Sequence, residues 1–398
     1  MRAQRWWMGL LAIGLVALVA GRASAQVTTE RSASILVFPK VVSDGTRDTI
    51  IQITNTSNSV VYAHCFYVNG ALTFPDFPPG PTNPPLWTEI DFDITLTKQQ
   101  PTHWVVSEGR LVDPTDEPCS NQPPFYGCND AGIDPGRVPP VVENFTGELK
   151  CIEVDPTDSP VSGNHLKGEA TTITLNVCSP YGSCWNDNDE SCTSNSDCDD
   201  QFDSSKYNAL GILGNENNDG DNVLCLGGES SDVCPNGAEY DACPQTWIAN
   251  HYAFGAPDPV AGPDSGVFTS WTFVPCTENF ETQVPASLTV NIDTWNEFEQ
   301  PFSSSFPFTC WEEIYLPAIN PTTFWYSTLG STFAQSRLRP SNNTTSGFLM
   351  VAHEEHATAD HWYSYADANL HVEGSRVGPD LITIPPEQVG STGVGPTP

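Results

Sequence analysis

Positive charge is scarce in this chain. Of 398 residues only 15 are Lys or Arg, against 49 Asp or Glu, and the formal charge is −34. Such a surface repels phosphate backbones, so nucleic acid is excluded as a partner. It attracts divalent cations and keeps the chain in solution. Long apolar runs are missing too: beyond Ala20 none is long enough to cross a bilayer, so no transmembrane segment is expected in the mature chain. No two of the 13 cysteines are spaced C-x-x-C, which removes the zinc-ribbon and thioredoxin-like readings. There is no Gly-rich phosphate loop and no dinucleotide fingerprint. Gly262-Pro263-Asp264-Ser265-Gly266 is not G-x-S-x-G and reads as a turn. Paired carboxylates abound, but in so acidic a chain they select nothing.

The N-terminus carries the pattern of an export signal. Arg2 and Arg5 precede an apolar run from Trp6 to Ala20, and Ala23-Ser24-Ala25 is an A-x-A cleavage site. Residues 1–25 are therefore read as a signal peptide, and the mature protein is expected outside the cytoplasm: secreted, periplasmic or at the cell surface. The cysteines agree, since a disulfide framework needs an oxidising compartment. Thirteen is odd, so one thiol is free or pairs with another chain.

What remains reads as β-structure. Asp48 to Asn69 contains two strands joined by the polar turn Asn55-Thr56-Ser57-Asn58-Ser59, and Val60 to Val68 alternates with period two. Glu89 to Thr97 sets Ile90, Phe92, Ile94 and Leu96 against acids and Thr, as a half-solvated antiparallel strand does. With Ser34–Lys40, Thr49–Thr54, Thr102–Val106, Gly147–Val154 and Leu166–Val177, seven strands and no helix are expected before residue 178. Residues 107–142 read as loop, stapled by Cys119 and Cys128. Cys65 and Cys151, on non-neighbouring strands, are expected to bridge two sheets.

A fainter copy follows. Leu36–Val41 parallels Thr272–Thr277; Thr49–Asn58 parallels Leu288–Glu297; Cys65 stands against Cys310; Phe145–Val154 parallels Thr345–Glu354, Gly147 against Gly347; Asn164–Gly168 parallels Asn369–Gly374. Five segments in one order suggest internal duplication. Position 351 is Val where the first copy has Cys151, so Cys276 becomes the candidate partner of Cys310, and the odd thiol falls among the seven cysteines of residues 178–243. The expected organisation is two Ig-like antiparallel β-sandwich domains, 26–177 and 246–384, flanking a Cys/Asp/Asn-rich, disulfide-tied insert over 178–245, with a loose tail over 385–398. The strand pattern resembles Ig-like domains of secreted bacterial surface proteins, and Cys192–Cys198 (CTSNSDC) resembles their short Cys-rich repeats; the resemblance implies a fold and no functional residue.

Three patterns are candidates for chemistry. Asn215, Asn217, Asp219 and Asp221 alternate around Gly220 like a calcium loop, although the twelfth position is Leu226 and not Glu. Asn186 to Glu190 offers oxygen ligands without a glycine. His353-Glu354-Glu355-His356 is one residue short of a zinc-protease motif, and as a strand end it sends His353 and Glu355 to one side, Glu354 and His356 to the other. A surface site for a transition metal from His353, His356 and His361 is the remaining metal reading. Trp295, Trp311, Trp325 and Trp362 are candidates for a sugar-stacking platform, and Asn55, Asn144, Asn342 and Asn343 fit glycosylation sequons. The expectation is a secreted, non-enzymatic protein of the bacterial envelope or exterior with a structural or adhesive role and a glycan or cell-surface protein as partner. The alternative is an extracellular carbohydrate-binding protein or metal-dependent hydrolase using the second domain.

Overall fold

The computed structural model describes residues 27–74, 83–110, 136–175, 183–184, 187–192, 198, 202–342, 346–358 and 363–386. The signal-peptide reading, Cys119, Cys128, His361, Trp362, Asn343 and nearly all of the tail lie outside them. The described chain is almost entirely β and its ladders are antiparallel with one exception. It forms five sheets of three to five strands and one two-stranded ribbon.

Sheet 1 runs in the order β11 (Leu210–Ile212), β1 (Ile35–Ser43), β6 (Phe145–Val154), β3 (Val61–Asn69), β4 (Thr88–Leu96). Sheet 2 is β10 (Phe202–Asn208), β7 (Leu166–Leu175), β2 (Arg47–Asn55), β5 (Pro101–Val105). Sheet 3 is β12 (Val223–Leu226), β24 (Asp380–Thr383), β16 (Glu278–Asn279), with β16 and β24 parallel. Sheet 4 is β18 (Pro301–Thr309), β17 (Ser287–Asn296), β20 (Phe333–Pro340), β13 (Pro244–Tyr252), β23 (His371–Ser375). Sheet 5 is β14 (Ala256–Asp258), β15 (Gly262–Pro275), β21 (Phe348–Ala357), β22 (Tyr363–Asn369), and β19 (Glu312–Tyr315) also pairs with β15. The ribbon is β8 (Ser183–Cys184) with β9 (Asp187–Ser191). Three single-turn helices, α1 (Leu316–Ile319), α2 (Pro321–Phe324) and α3 (Tyr326–Leu329), interrupt the second half. No helix among the described residues is long and apolar enough to cross a membrane.

The seven strands expected before residue 178 are β1 to β7, but the two-sandwich organisation does not hold. One face of sheet 1 packs on sheet 2: Phe38, Ala63, Tyr67, Phe92, Ile94 and Leu149 meet Ile51, Ile53, Trp104 and Ala170, and the Trp104 indole N–H donates to the Tyr67 hydroxyl at 2.6 Å. The other face is buried as well. Ile35, Val37, Phe66, Val68 and Ile152 join Leu224, Phe280, Trp271, Phe273, Val290 and Ile382 in a second core that continues through sheets 3, 4 and 5. Eight consecutive residues of β1 are buried in consequence. At roughly 1.5–3 kcal/mol for each large apolar side chain, that second face is worth as much as the first. Sheet 1 is a shared wall, so the first half is not a free-standing sandwich. The apolar run SILVF carried this information, since a strand buried on both faces loses its alternation.

The insert is likewise no excursion. Its later part supplies β10 to sheet 2, β11 to sheet 1 and β12 to sheet 3, and Tyr207 on β10 is fully engaged in the first core, where its hydroxyl donates to the Lys40 carbonyl at 2.6 Å. Disulfides hold the rest: Cys184–Cys198, Cys225–Cys234 and Cys243–Cys276 are bonded, and Cys192 is bonded too. Cys276 therefore does not pair with Cys310, which is the buried free thiol among the described residues; the described cysteines of the insert are all bonded. Cys65 and Cys151 are joined, but within sheet 1. They face each other on the adjacent strands β3 and β6, Cα atoms 4.0 Å apart, so the bond reinforces one ladder and bridges no two sheets.

The internal echo has a structural counterpart in one ladder. Leu36 pairs with Cys151 and Phe38 with Leu149 across β1 and β6; Thr272 pairs with Val351 and Val274 with Leu349 across β15 and β21. These are the registers the aligned segments require. Beyond that ladder the halves diverge: β3 lies beside β6, whereas the segment around Cys310 leaves sheet 4 and pairs, as β19, with β15. The aligned glycines also serve different ends. A Cβ on Gly147 would lie 1.9 Å from the Val68 carbonyl oxygen, whereas one on Gly347 would meet the Arg376 side chain.

Candidate functional site

The described residues place their densest polar chemistry where sheets 1 and 2 meet sheet 5. β1 and β2 lie in different sheets and are joined by a tight turn, in which Asp44 Oδ1 accepts from the backbone N–H groups of Thr46 and Arg47. That turn aims Arg47 into the seam. Its Nε meets Asp44 Oδ2 and its Nη1 meets Glu313 Oε2, both at 2.9 Å. Behind it lies Lys40, whose side chain has no exposed surface. Lys40 Nζ is 2.9 Å from Glu313 Oε1 and 3.3 Å from Asp367 Oδ1. Asp367 also takes a hydrogen bond from the Ser205 hydroxyl and pairs with His353 Nδ1 at 2.8 Å.

Opposite charges thus face each other across the junction: Lys40 and Arg47 come from the first half, Glu313, Asp367 and His353 from the second. Burial alone would push the Glu313 carboxyl up, but Arg47 and Lys40 outweigh it and hold it well below the usual range. Asp367 is held down against burial by Lys40 and His353, and Asp44 against burial by Arg47.

In front of this network opens a cleft of ≈ 520 Å³. Asp44, Arg47, Glu313, His353 and Glu355 line it together with the rings of Phe254, Phe268, Tyr315 and Tyr365. The Tyr315 hydroxyl donates to Glu355, and His353 stacks on Tyr365 with centroids 5.7 Å apart. Phe254 is the hub of the aromatic wall, edge-on to Phe268, Tyr315 and Trp325 at 5.1, 5.6 and 5.0 Å. Trp325, held by α2 and α3, is 41% exposed and extends that wall to the rim. A larger open depression of ≈ 790 Å³ over β17, β18 and β20 is a flat face of Ser303, Ser304, Ser305 and their neighbours without comparable convergence.

The histidine pattern behaves as a strand. His353 faces the cleft, while His356 on the opposite face pairs with Asp258 at 2.5 Å. The transition-metal set is therefore not assembled: His353 and His356 cannot share an ion, and His361 lies outside the described residues. Ser265, in the Gly262–Gly266 stretch, opens β15 and accepts from the Asp258 N–H at 2.9 Å, a hairpin contact.

Of the calcium candidates, the Asn215 and Asn217 amides both donate to the Ala238 carbonyl, each at 3.0 Å. Asp219 and Asp221 gather with Glu239, ligand atoms within 4.8 Å of one another. Glu239 comes from a distant segment, and only its odd position as an acid next to buried Tyr240 hinted at it. Burial, then Asp219 and Asp221, push its carboxyl up, while both its oxygens accept backbone N–H groups. Among the other aromatic candidates, Trp311 is buried with its indole N–H on the Pro39 carbonyl at 2.7 Å, and Trp295 is half-buried in β17. Asn55 is fully buried, its amide donating to the Ser59, Leu96 and Thr97 carbonyls, so its sequon is closed in the folded protein; Asn144 and Asn342 are exposed.

Sequence reasoning missed Lys40, Arg47, Glu313 and Asp367. Each is one charged residue in a strand, and no local spacing links them. No protein-family profile matches this chain, and no curated protein matches it significantly.

Proposed function

We propose that this protein is an exported, non-catalytic binding protein of the envelope or exterior, and that its adhesive role is exercised through the cleft on a polyhydroxylated ligand such as a glycan. The observation that carries this reading is the pairing of an aromatic wall (Phe254, Phe268, Tyr315), with the exposed Trp325 edge-on to Phe254 beside it, and fixed charged donors and acceptors (Arg47, Glu313, Glu355) in one opening. Sugars are bound by that combination, apolar ring faces stacking on aromatics while hydroxyls take directed hydrogen bonds. The disulfides support an oxidising compartment.

The charge states argue for binding over catalysis. Glycoside hydrolysis needs one carboxylic acid whose proton is retained near neutral pH. Of the carboxyls at the cleft, Asp44, Glu313 and Asp367 are held low by their cationic neighbours and do not fit that role. A metal-dependent hydrolase has lost its proposed ligand set, since His353 and His356 point apart.

The test is a glycan array followed by titration calorimetry of each hit. Wild-type protein is expected to bind, and Trp325→Ala and Arg47→Met each to weaken binding at least about tenfold, one stacked ring or one charged hydrogen bond being worth roughly 1–3 kcal/mol. An array without hits, or hits untouched by either substitution, overturns the reading.

A further inference from the structure

The most unusual buried group lies away from the cleft. Lys150, at the centre of β6, carries an ammonium with no exposed surface. Cross-strand neighbours Val37 and Phe66 wall it in, and Phe66 stacks on Phe280 at 4.2 Å. Its Nζ is 2.7 Å from Glu148 Oε2, in direct contact with Glu278 Oε2, and 3.3 Å from the Pro275 carbonyl oxygen. Both glutamate side chains are also fully buried. Their remaining oxygens, Glu148 Oε1 and Glu278 Oε1, have no hydrogen-bond partner.

One ammonium cannot neutralise two carboxylates in an apolar pocket, so the trio holds a further proton. Burial, then the neighbouring Glu278, push the Glu148 carboxyl well above the ordinary range, which assigns that proton to Glu148. Burial also works against the Lys150 ammonium, but the two glutamates outweigh it and raise its pKa. Moving one proton from Nζ to Glu278 along their contact gives a neutral amine against a neutral carboxylic acid, with a second acid beside both. Those are the reactants of amide formation.

We propose that Lys150 and Glu278 become joined by an amide bond, with Glu148 as the proton carrier. Lys150 Nζ attacks Glu278 Cδ, and the N–C bond forms. Glu148 takes a proton from the nitrogen and delivers one to the departing Glu278 oxygen. The C–O bond breaks, one water leaves, and Glu148 ends as it began. No oxidant, reductant or co-reactant is consumed. The rate comes from fixed proximity, with effective molarities of about 10⁵ M or more, and from acid–base assistance worth roughly 10²–10⁴-fold. Exclusion of water keeps the product from hydrolysis. The bond would tie β6 of sheet 1 to β16 of sheet 3 across 128 residues of sequence, a link indifferent to reductants.

The test is peptide mapping by mass spectrometry on folded wild-type protein after reduction and alkylation. The expected result is a branched peptide containing Lys150 and Glu278, lighter by one water than its parts, with no tryptic cleavage after Lys150. Glu148→Gln, which keeps shape and removes the proton carrier, should give folded protein, checked by circular dichroism, with the link absent or formed at least tenfold more slowly. Linear peptides only in the wild type, with cleavage after Lys150, overturn the proposal, and so does a Glu148→Gln protein linked as fast as wild type.

Discussion

Lys40→Met is the substitution whose effect the structure specifies most closely. The ammonium is fully buried between Glu313 at 2.9 Å and Asp367 at 3.3 Å. At an effective dielectric of about 20 those separations correspond to roughly 6 and 5 kcal/mol of attraction. Desolvating the three groups takes much of this back, and removing one member of a buried ion pair costs about 3–5 kcal/mol in practice. Lys40→Met keeps most of the volume and leaves Glu313 with Arg47 alone and Asp367 with His353 and Ser205, so a loss of about 3–5 kcal/mol is expected at neutral pH. The sign of the pH dependence follows from the carboxyls. Both are held below their ordinary range, so the stability they contribute is fully present above about pH 4.5 and is lost as pH falls below that toward their folded-state values. In the variant they accept protons sooner, and the cost of the substitution shrinks in acid. Guanidinium unfolding with disulfides intact, at about pH 7 and pH 3, measures both quantities. A cost under about 1 kcal/mol at neutral pH, or one unchanged at pH 3, refutes the reasoning.

Opening the Cys65–Cys151 bond as Cys65→Ser with Cys151→Ser should cost roughly 4–5 kcal/mol, given a sequence separation of 86, read as a lower denaturation midpoint. His251 is buried against Trp271 and Phe324, and burial pulls its pKa down from 6.5 to about 4; its contribution is present above pH 6.5 and lost as pH falls toward 4, about 3 kcal/mol in all, and His251→Gln should flatten the stability profile in that window. His64 is the opposite case: burial opposes its charge, but Asp158 and Asp91 raise it to about 10. Its contribution is complete below 6.5 and fades as pH rises toward 10, so a ring titration by NMR with a midpoint near 6.5 would show the assignment wrong.

The elements of the fold were legible where pattern is local. Period-two alternation located β3 and β4, and turn chemistry located the turn after β2, because a strand and a tight turn are decided within a few residues. The placement of sheets was not. Lys150 and Glu148 in GELKCIEV look like the solvent side of an alternating strand, yet both are buried. Only partners more than 100 residues away, Glu278 among them, make that tolerable, and no short window shows them. The same holds for the cleft. Trp325 was recognisable as a surface aromatic, but Lys40 and Arg47 became meaningful only once Glu313 and Asp367 were folded against them. The cysteines illustrate the limit of counting: the odd total announced one free thiol without saying that Cys310 was it.

The double-sided burial of sheet 1 bears on how the molecule is made. When the ribosome has delivered only the first half, Ile35, Val37, Phe66 and Ile152 have nothing to cover them. Their covering arrives piecemeal, and β24, which completes the small third sheet by pairing with β12, spans Asp380–Thr383. Until then the nascent chain presents a sticky plank to its surroundings, the kind of intermediate that aggregates or recruits chaperones. A C-terminal truncation short of β24 should therefore fail by precipitation, where loss of a mere appendage would leave a smaller folded protein.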